Sequence, residues 1–218
     1  MTVNRSAASF LILLIAFVGV ALSSVSATAG EWQLIEEKHH IKLYLRNYPD
    51  SDIPEFKAVT TFNTDMNAIM AVLVDVPGFT RWIYHCSKAS LLQTLSDNDY
   101  VIYQVNALPF VNDRDVIMRV HIERSSKGNE ITIDLQADAD FCNGRTDPQC
   151  QTTRNKKYVR IVDSVGQYQL RAIDDNHVEL TWQQHIDPAG KLPVWLIKRT
   201  LSNLPIESLT ALRQLVEK

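Results

Sequence analysis

The chain has 218 residues, 45% of them hydrophobic and 22% charged, which suits one globular domain with a sizeable core. Its 22 basic and 25 acidic residues leave a net charge of −3, without the basic excess of a nucleic-acid binder. The six histidines are scattered and form no metal-ligand spacing, so neither a metal nor a cofactor is expected.

In chain order, residues 1–29 read as an export signal. Arg5 supplies the positive start and Phe10 to Leu22 an apolar run shorter than the ~20 residues of a spanning helix. Ala27-Thr28-Ala29 fits a small-residue cleavage site. An uncleaved N-terminal anchor is the alternative. The folded domain is expected over 30–218, in an exported and periplasmic protein.

Trp32, Leu34 and Ile35 open a short amphipathic segment. Ile41, Leu43 and Leu45 alternate with Lys42, Tyr44 and Arg46, the period of a strand. A Pro- and Asp-rich turn leads to a second strand, Phe56 to Phe62, pairing with the first as a hairpin. Asn63 or Thr64 can cap a helix with Asp65 in its first turn. Met66, Ile69, Met70, Leu73 and Val74 carry helical spacing, Pro77-Gly78 stops it, and residues 78–84 read as a short second helix. Strands are then expected over 89–95, 100–108, 115–124, 130–137, 159–172 with a break at 164–166, and 177–186. Between them, residues 138–158 form a long loop of the kind that tends to be functional. Cys142 and Cys150 bracket its turn-rich centre and are expected to pair, a bond that persists in an exported protein. Cys86 is expected to be a buried free thiol. A long helix follows from about Lys191, with Val194, Ile197, Leu201, Leu204, Ala211, Leu212 and Leu215 as its core stripe. Leu192, Trp195, Leu196 and Ile206 lie off that stripe, and Pro205 invites a kink.

This order is that of one α+β domain, a curved antiparallel sheet whose concave face the last helix covers. Alternation puts Val116, Met118, Val120 and Ile122 on one face of their strand, and Ile131, Ile133, Leu135 and Ala137 on one face of the next. Val178, Leu180, Trp182 and Ile186 follow on the last strand, interrupted by the polar Gln184. Two readings stand side by side: a solid core under the helix, or a cavity left because small and medium side chains dominate these faces.

Four segments resemble, in order, the START family of lipid-transfer domains related to steroidogenic acute regulatory protein. They are FTRWIYHCSKASLL, PFVNDRDVIMRV, KKYVRIVDSVGQYQL and HIDPAGKLPVWLIKRTLSNLPIESLTALR. The resemblance runs from about Trp32 to Arg213. It implies a helix-grip fold, a sheet curved around a hydrophobic tunnel with the C-terminal helix as lid. It also implies that the protein binds one hydrophobic, lipid-like molecule and carries or presents it between membranes; no residue pattern here requires catalysis, and none is expected. One departure concerns the ligand. Sterol-carrying relatives place a buried Arg where this chain has Val120, so sterol specificity is not supported.

On this reading the ligand wall is expected at Val116, Met118, Val120, Ile133, Leu135, Tyr168, Leu180, Trp182 and Gln184 of the sheet, and at Ile197, Leu201 and Leu204 of the helix. Arg145, Arg154, Lys156 and Lys157 of the long loop, with Trp195, are expected to dock on a membrane surface for transient contact. Arg114 and Asp115 are either a headgroup contact or a structural ion pair. A monomer without nucleic-acid partners is expected. Two rivals stay open. One is a cyclase- or aromatase-like enzyme, for which Gln184 and Tyr103 are poor acid–base groups. The other is a filled, partner-binding module.

Overall fold

Alternating apolar and polar residues build ten strands among the described residues, 30–217 of the computed structural model. The expected export signal lies outside those residues. The strands are β1 (Gln33–Lys38), β2 (Ile41–Arg46), β3 (Glu55–Phe62), β4 (Cys86–Thr94), β5 (Asp99–Asn106), β6 (Arg114–Arg124), β7 (Glu130–Ala137), β8 (Val159–Arg160), β9 (Asp163–Asp174) and β10 (His177–Asp187). Three α-helices accompany them: α1 (Met66–Leu73), α2 (Pro148–Gln151) and α3 (Val194–Val216). The sheet order is β1-β2-β3-β10-β9-β7-β6-β5-β4, antiparallel throughout, with β8 parallel to the start of β6. β1 and β4 are open edges, so the sheet curves without closing into a barrel.

Several local expectations are corrected. The segment after Trp32 is a strand, and the first hairpin is β1–β2, turning at His39-His40. Both histidines have positive φ, 53° and 61°, as a two-residue type I′ turn demands. Asp65, not Asn63 or Thr64, caps α1, its carboxylate accepting from Asn67 N at 2.8 Å and Ala68 N at 3.0 Å. Pro77-Gly78 lie inside the short 3-10 helix, Val76–Arg81, since the fixed φ of proline suits a helix start. The break expected at 164–166 falls at Ile161-Val162, between β8 and β9. The long loop holds one helical turn, α2, capped by Asp147 through Cys150 N at 3.0 Å.

The core sits on both faces of the β5–β6 pair. The main cluster lies on the concave face, between the sheet, α1 and α3. A second cluster lies on the opposite face of β5 and β6, where Val101, Tyr103, Val105 and Ile117 are covered by Cys142, Cys150, Phe141 and Tyr158 of the long loop. Cys142 and Cys150 form the expected disulfide, and Cys86 is free and buried, with burial pushing its thiol up to about 11.

The C-terminal half of α3 is anchored tightly. Leu209 and Leu212 are wholly buried, and α3 packs on α1, β2 and β3. Arg213 donates to Thr60 Oγ1 at 2.6 Å, Thr61 O at 2.9 Å and Glu217 Oε1 at 2.7 Å, while Glu217 accepts from Asn63 N at 2.8 Å. The N-terminal half is looser, with Val194 and Trp195 exposed. The buried face runs through Leu201, Pro205, Ser208, Leu209, Leu212 and Val216, and α3 continues unbroken through Pro205.

Candidate functional site

Beneath the N-terminal half of α3 the concave face is not filled. A cavity of about 110 Å³ remains, several times what one water needs. Strand register orders its wall. In the β5–β6 ladder the inward pairs are Tyr100 with Val120, Ile102 with Met118, Gln104 with Val116, and Asn106 with Arg114. The wall thus changes from apolar to polar along one direction. At the apolar end, Ile133 and Leu135 of β7, Tyr168 of β9 and Trp182 of β10 complete the lining, with Leu73, Phe79 and Trp82 beyond them. Tyr168 lies tilted against Trp182 with ring centroids 5.0 Å apart, and Trp182 meets Phe56 edge-on at 5.1 Å. Burial pushes the Tyr168 hydroxyl far above its usual range and that of Tyr100 up to about 12, so both stay neutral. The Trp82 indole N–H is buried without a partner among the described residues.

The polar end is built by three chain segments. His85, Asn106, Arg114, Pro188 and Thr200 all line it. The exposure of His85 shows that this end reaches the surface. Arg114 is buried and ties two loops together, donating to Asn112 O, to Pro188 O at 3.1 Å and to Ala189 O at 3.2 Å. Gln104 donates to Asn106 Oδ1 at 2.7 Å. Midway stands Gln184. Its carbonyl accepts from Trp182 Nε1 at 3.0 Å and its amide donates to Ser164 Oγ at 3.0 Å. Gly166 makes this path open, since a Cβ there would lie 2.6 Å from Gln184 Cγ. One amide N–H of Gln184 is left over.

This geometry is a small hydrophobic vault with one polar end, closed by a helix. A START-domain family model matches residues 19–218. The chain belongs to the START domain family. A STAR-related lipid transfer protein from Xanthomonas axonopodis is 28% identical, with a TM-score of 0.73, covering 86% of this chain and 99% of that one. Human StAR-related lipid transfer protein 5 shares the fold, with a TM-score of 0.73 at 13% identity, covering 85% of this START domain and 86% of its own chain. An uncharacterized protein of Pseudomonas aeruginosa is 27% identical over 193 residues, 88% of this chain and 90% of its own. The helix-grip arrangement expected from the sequence is the one observed.

The START domain brings most of the expected wall residues together. Val116, Met118, Val120, Ile133, Leu135, Tyr168, Trp182, Gln184 and Leu204 line the cavity. Leu180, Ile197 and Leu201 do not. Leu180 is wholly buried in the filled part of the core, opposite Leu170 and Thr60 in the ladder. Leu201 is buried and Ile197 half-buried against that same cluster, so both pack on the core as the apolar stripe suggested but away from the cavity. Ile206, placed off the stripe, is buried as well, so the inward face of the helix is wider than the stripe. Arg114 and Asp115 are not paired with each other. As neighbours on a strand they point to opposite faces, Arg114 to the cavity and Asp115 to Arg160, which grips it at 2.9 and 2.8 Å.

The two groups expected at the membrane are split. Arg145, Arg154, Lys156 and Lys157 belong to the loop that covers the outer face of β5 and β6. Arg145 is engaged by Asp147 at 3.0 Å and Gln93 at 2.9 Å. Trp195 instead stands at the start of α3, beside the exposed Val194. Sequence reasoning passed over Gln104, Asn106 and His85 at the cavity's polar end. The alternation rule, applied to the strand 100–108, carried the signal for the first two.

Proposed function

We propose that this START domain carries a hydrophobic, lipid-like molecule in the vault under α3, exchanging it at a membrane surface without chemical turnover. The cavity carries this reading: a lining dominated by apolar and aromatic side chains, with a few polar groups at one end, is the usual form of a small-molecule site. Apolar burial at ~25 cal/mol per Å² supplies the driving force. The family match and the lipid-transfer protein at 28% identity favour the same reading. A cavity of 110 Å³ is smaller than the ~300 Å³ or more of a typical ligand site, so a lipid-sized guest must widen it. Movement of the less buried N-terminal half of α3 provides that room. The exposed Phe110, Val194 and Trp195 flank the loops that Arg114 joins, and they are the surface we assign to the bilayer in place of the basic loop. The disulfide favours an exported protein.

The test is native mass spectrometry after mild purification, followed by transfer of a fluorescent fatty acyl lipid between vesicles. A co-purifying hydrophobe and measurable transfer are expected. The variant Ile133→Trp fills the cavity, costs about 1–3 kcal/mol of stability by overpacking, and abolishes both signals in a folded protein. Transfer by a folded Ile133→Trp variant at the wild-type rate would refute the vault as the carrier site.

A further inference from the structure

We infer that the vault selects amphiphiles with an anionic head, carboxylate or phosphate, seated at Arg114; this rests on the carrier reading above. Arg114 is the only Lys, Arg, Asp or Glu among the lining residues, and only 4% of its surface is exposed. Its guanidinium has five N–H donors in a planar fork. Carbonyls of Asn112, Pro188 and Ala189 take three of them. One N–H on each terminal nitrogen is left over, the pair that a two-oxygen anion meets best.

The other partly buried arginines each face a carboxylate. Arg46 meets Glu55 at 2.5 Å, Arg160 meets Asp115 at 2.8 Å and Arg213 meets Glu217 at 2.7 Å. Arg114 is more deeply buried than these and forms no ion pair among the described residues. Asp113 acts on it only from longer range. Carbonyl dipoles soften a buried positive charge without cancelling it, and an unpaired buried charge is costly. A guest anion would supply the missing countercharge. Its surroundings suit that role. Asn106 lies directly opposite Arg114 in the ladder, and with its oxygen engaged by Gln104 it presents its amide N–H groups on the same face. Beyond this end the wall is apolar, and the two tyrosine hydroxyls there are held neutral. A head of negative charge at Arg114 and a tail toward Tyr168 and Trp182 match the wall from end to end.

The experiment is calorimetric titration of the purified protein at neutral pH with decanoate, decyl phosphate and decan-1-ol, which share one tail length. Both anions are expected to bind at least about tenfold more tightly than the alcohol. Arg114→Gln is expected to erase that preference, bringing the three probes to within about threefold of one another in affinity. Equal binding of anions and alcohol by the wild type overturns the inference whether or not the variant folds, and leaves the carrier reading standing. An anion preference that survives Arg114→Gln also overturns it, assigning the preference to exposed bases. Failure of all three probes to bind overturns the carrier reading as well.

Discussion

Replacing Gln184 by Leu removes the acceptor of the Trp182 indole N–H and one donor to Ser164. Ser164 keeps its own bond to the His185 carbonyl at 3.2 Å, so the serious loss is the indole N–H, buried and bonded among the described residues to Gln184 alone. Leaving such a donor unmatched costs about 1–3 kcal/mol. Leu restores part of this, since it fits the apolar wall around it. A net loss of about 1–2 kcal/mol is expected for Gln184→Leu. Trp182→Phe loses packing against Phe56 and Tyr168 and strands the Gln184 carbonyl, for about 1–3 kcal/mol. With both changes made, neither partner is left unmatched, so the double variant should be more stable than the sum of the singles predicts by about 1 kcal/mol. Urea unfolding of the four proteins, with equal slopes, measures each value. Additivity within ~0.3 kcal/mol would refute the claim that this bond is a required match inside the cavity wall.

Three further outcomes follow from features away from the cavity. His185 is wholly buried, stacked on Tyr48 at 3.7 Å, with neither ring nitrogen hydrogen-bonded, and burial holds its pKa below 6.5. The unfolded chain then takes up a proton that the fold refuses, so this contribution is present above pH ~6.5 and is lost as pH falls toward the lower folded value. His185→Phe should flatten the fall in Tm between pH 7.5 and 5, and an unchanged slope would count against the assignment. Removing the disulfide with Cys142→Ser and Cys150→Ser opens a ring of sequence separation 8 and should cost about 2–3 kcal/mol in chemical denaturation. Ligand affinity should not change, because the ring lies on the far face of the sheet; a large affinity loss would contradict that placement. At the first hairpin, His39→Asn with His40→Gly relieves two positive φ angles and should raise stability by about 1 kcal/mol, read as a higher midpoint.

The strands were legible because alternation is a local property. Val116, Met118 and Val120 had to share a face, and that face proved to be the wall of the vault. The same rule, followed strictly, separates Arg114 from Asp115 and sends the arginine inward, which excludes the paired alternative. α3 was harder. Its inward face includes Pro205 and Ser208, which no apolar stripe selects, and Ser208 is buried because its hydroxyl accepts from Tyr84 N at 2.9 Å. Such a match depends on a residue 124 positions away, which periodicity cannot register. The packing of the basic loop depends on the fold in a similar way. Composition marks Arg145 and Arg154 as charged, but only the fold shows that they crown the outer hydrophobic cluster.

That outer cluster has a mechanical result. β5 is shielded on both sides, by the vault within and by the cross-linked loop without, so Val101 to Val105 are all buried. Its amides should exchange with deuterium among the slowest in the molecule, while those at the start of α3 exchange early. Whatever the guest, the stave that carries Tyr100, Ile102, Gln104 and Asn106 acts as a fixed ruler, and accommodation falls to the opposite side.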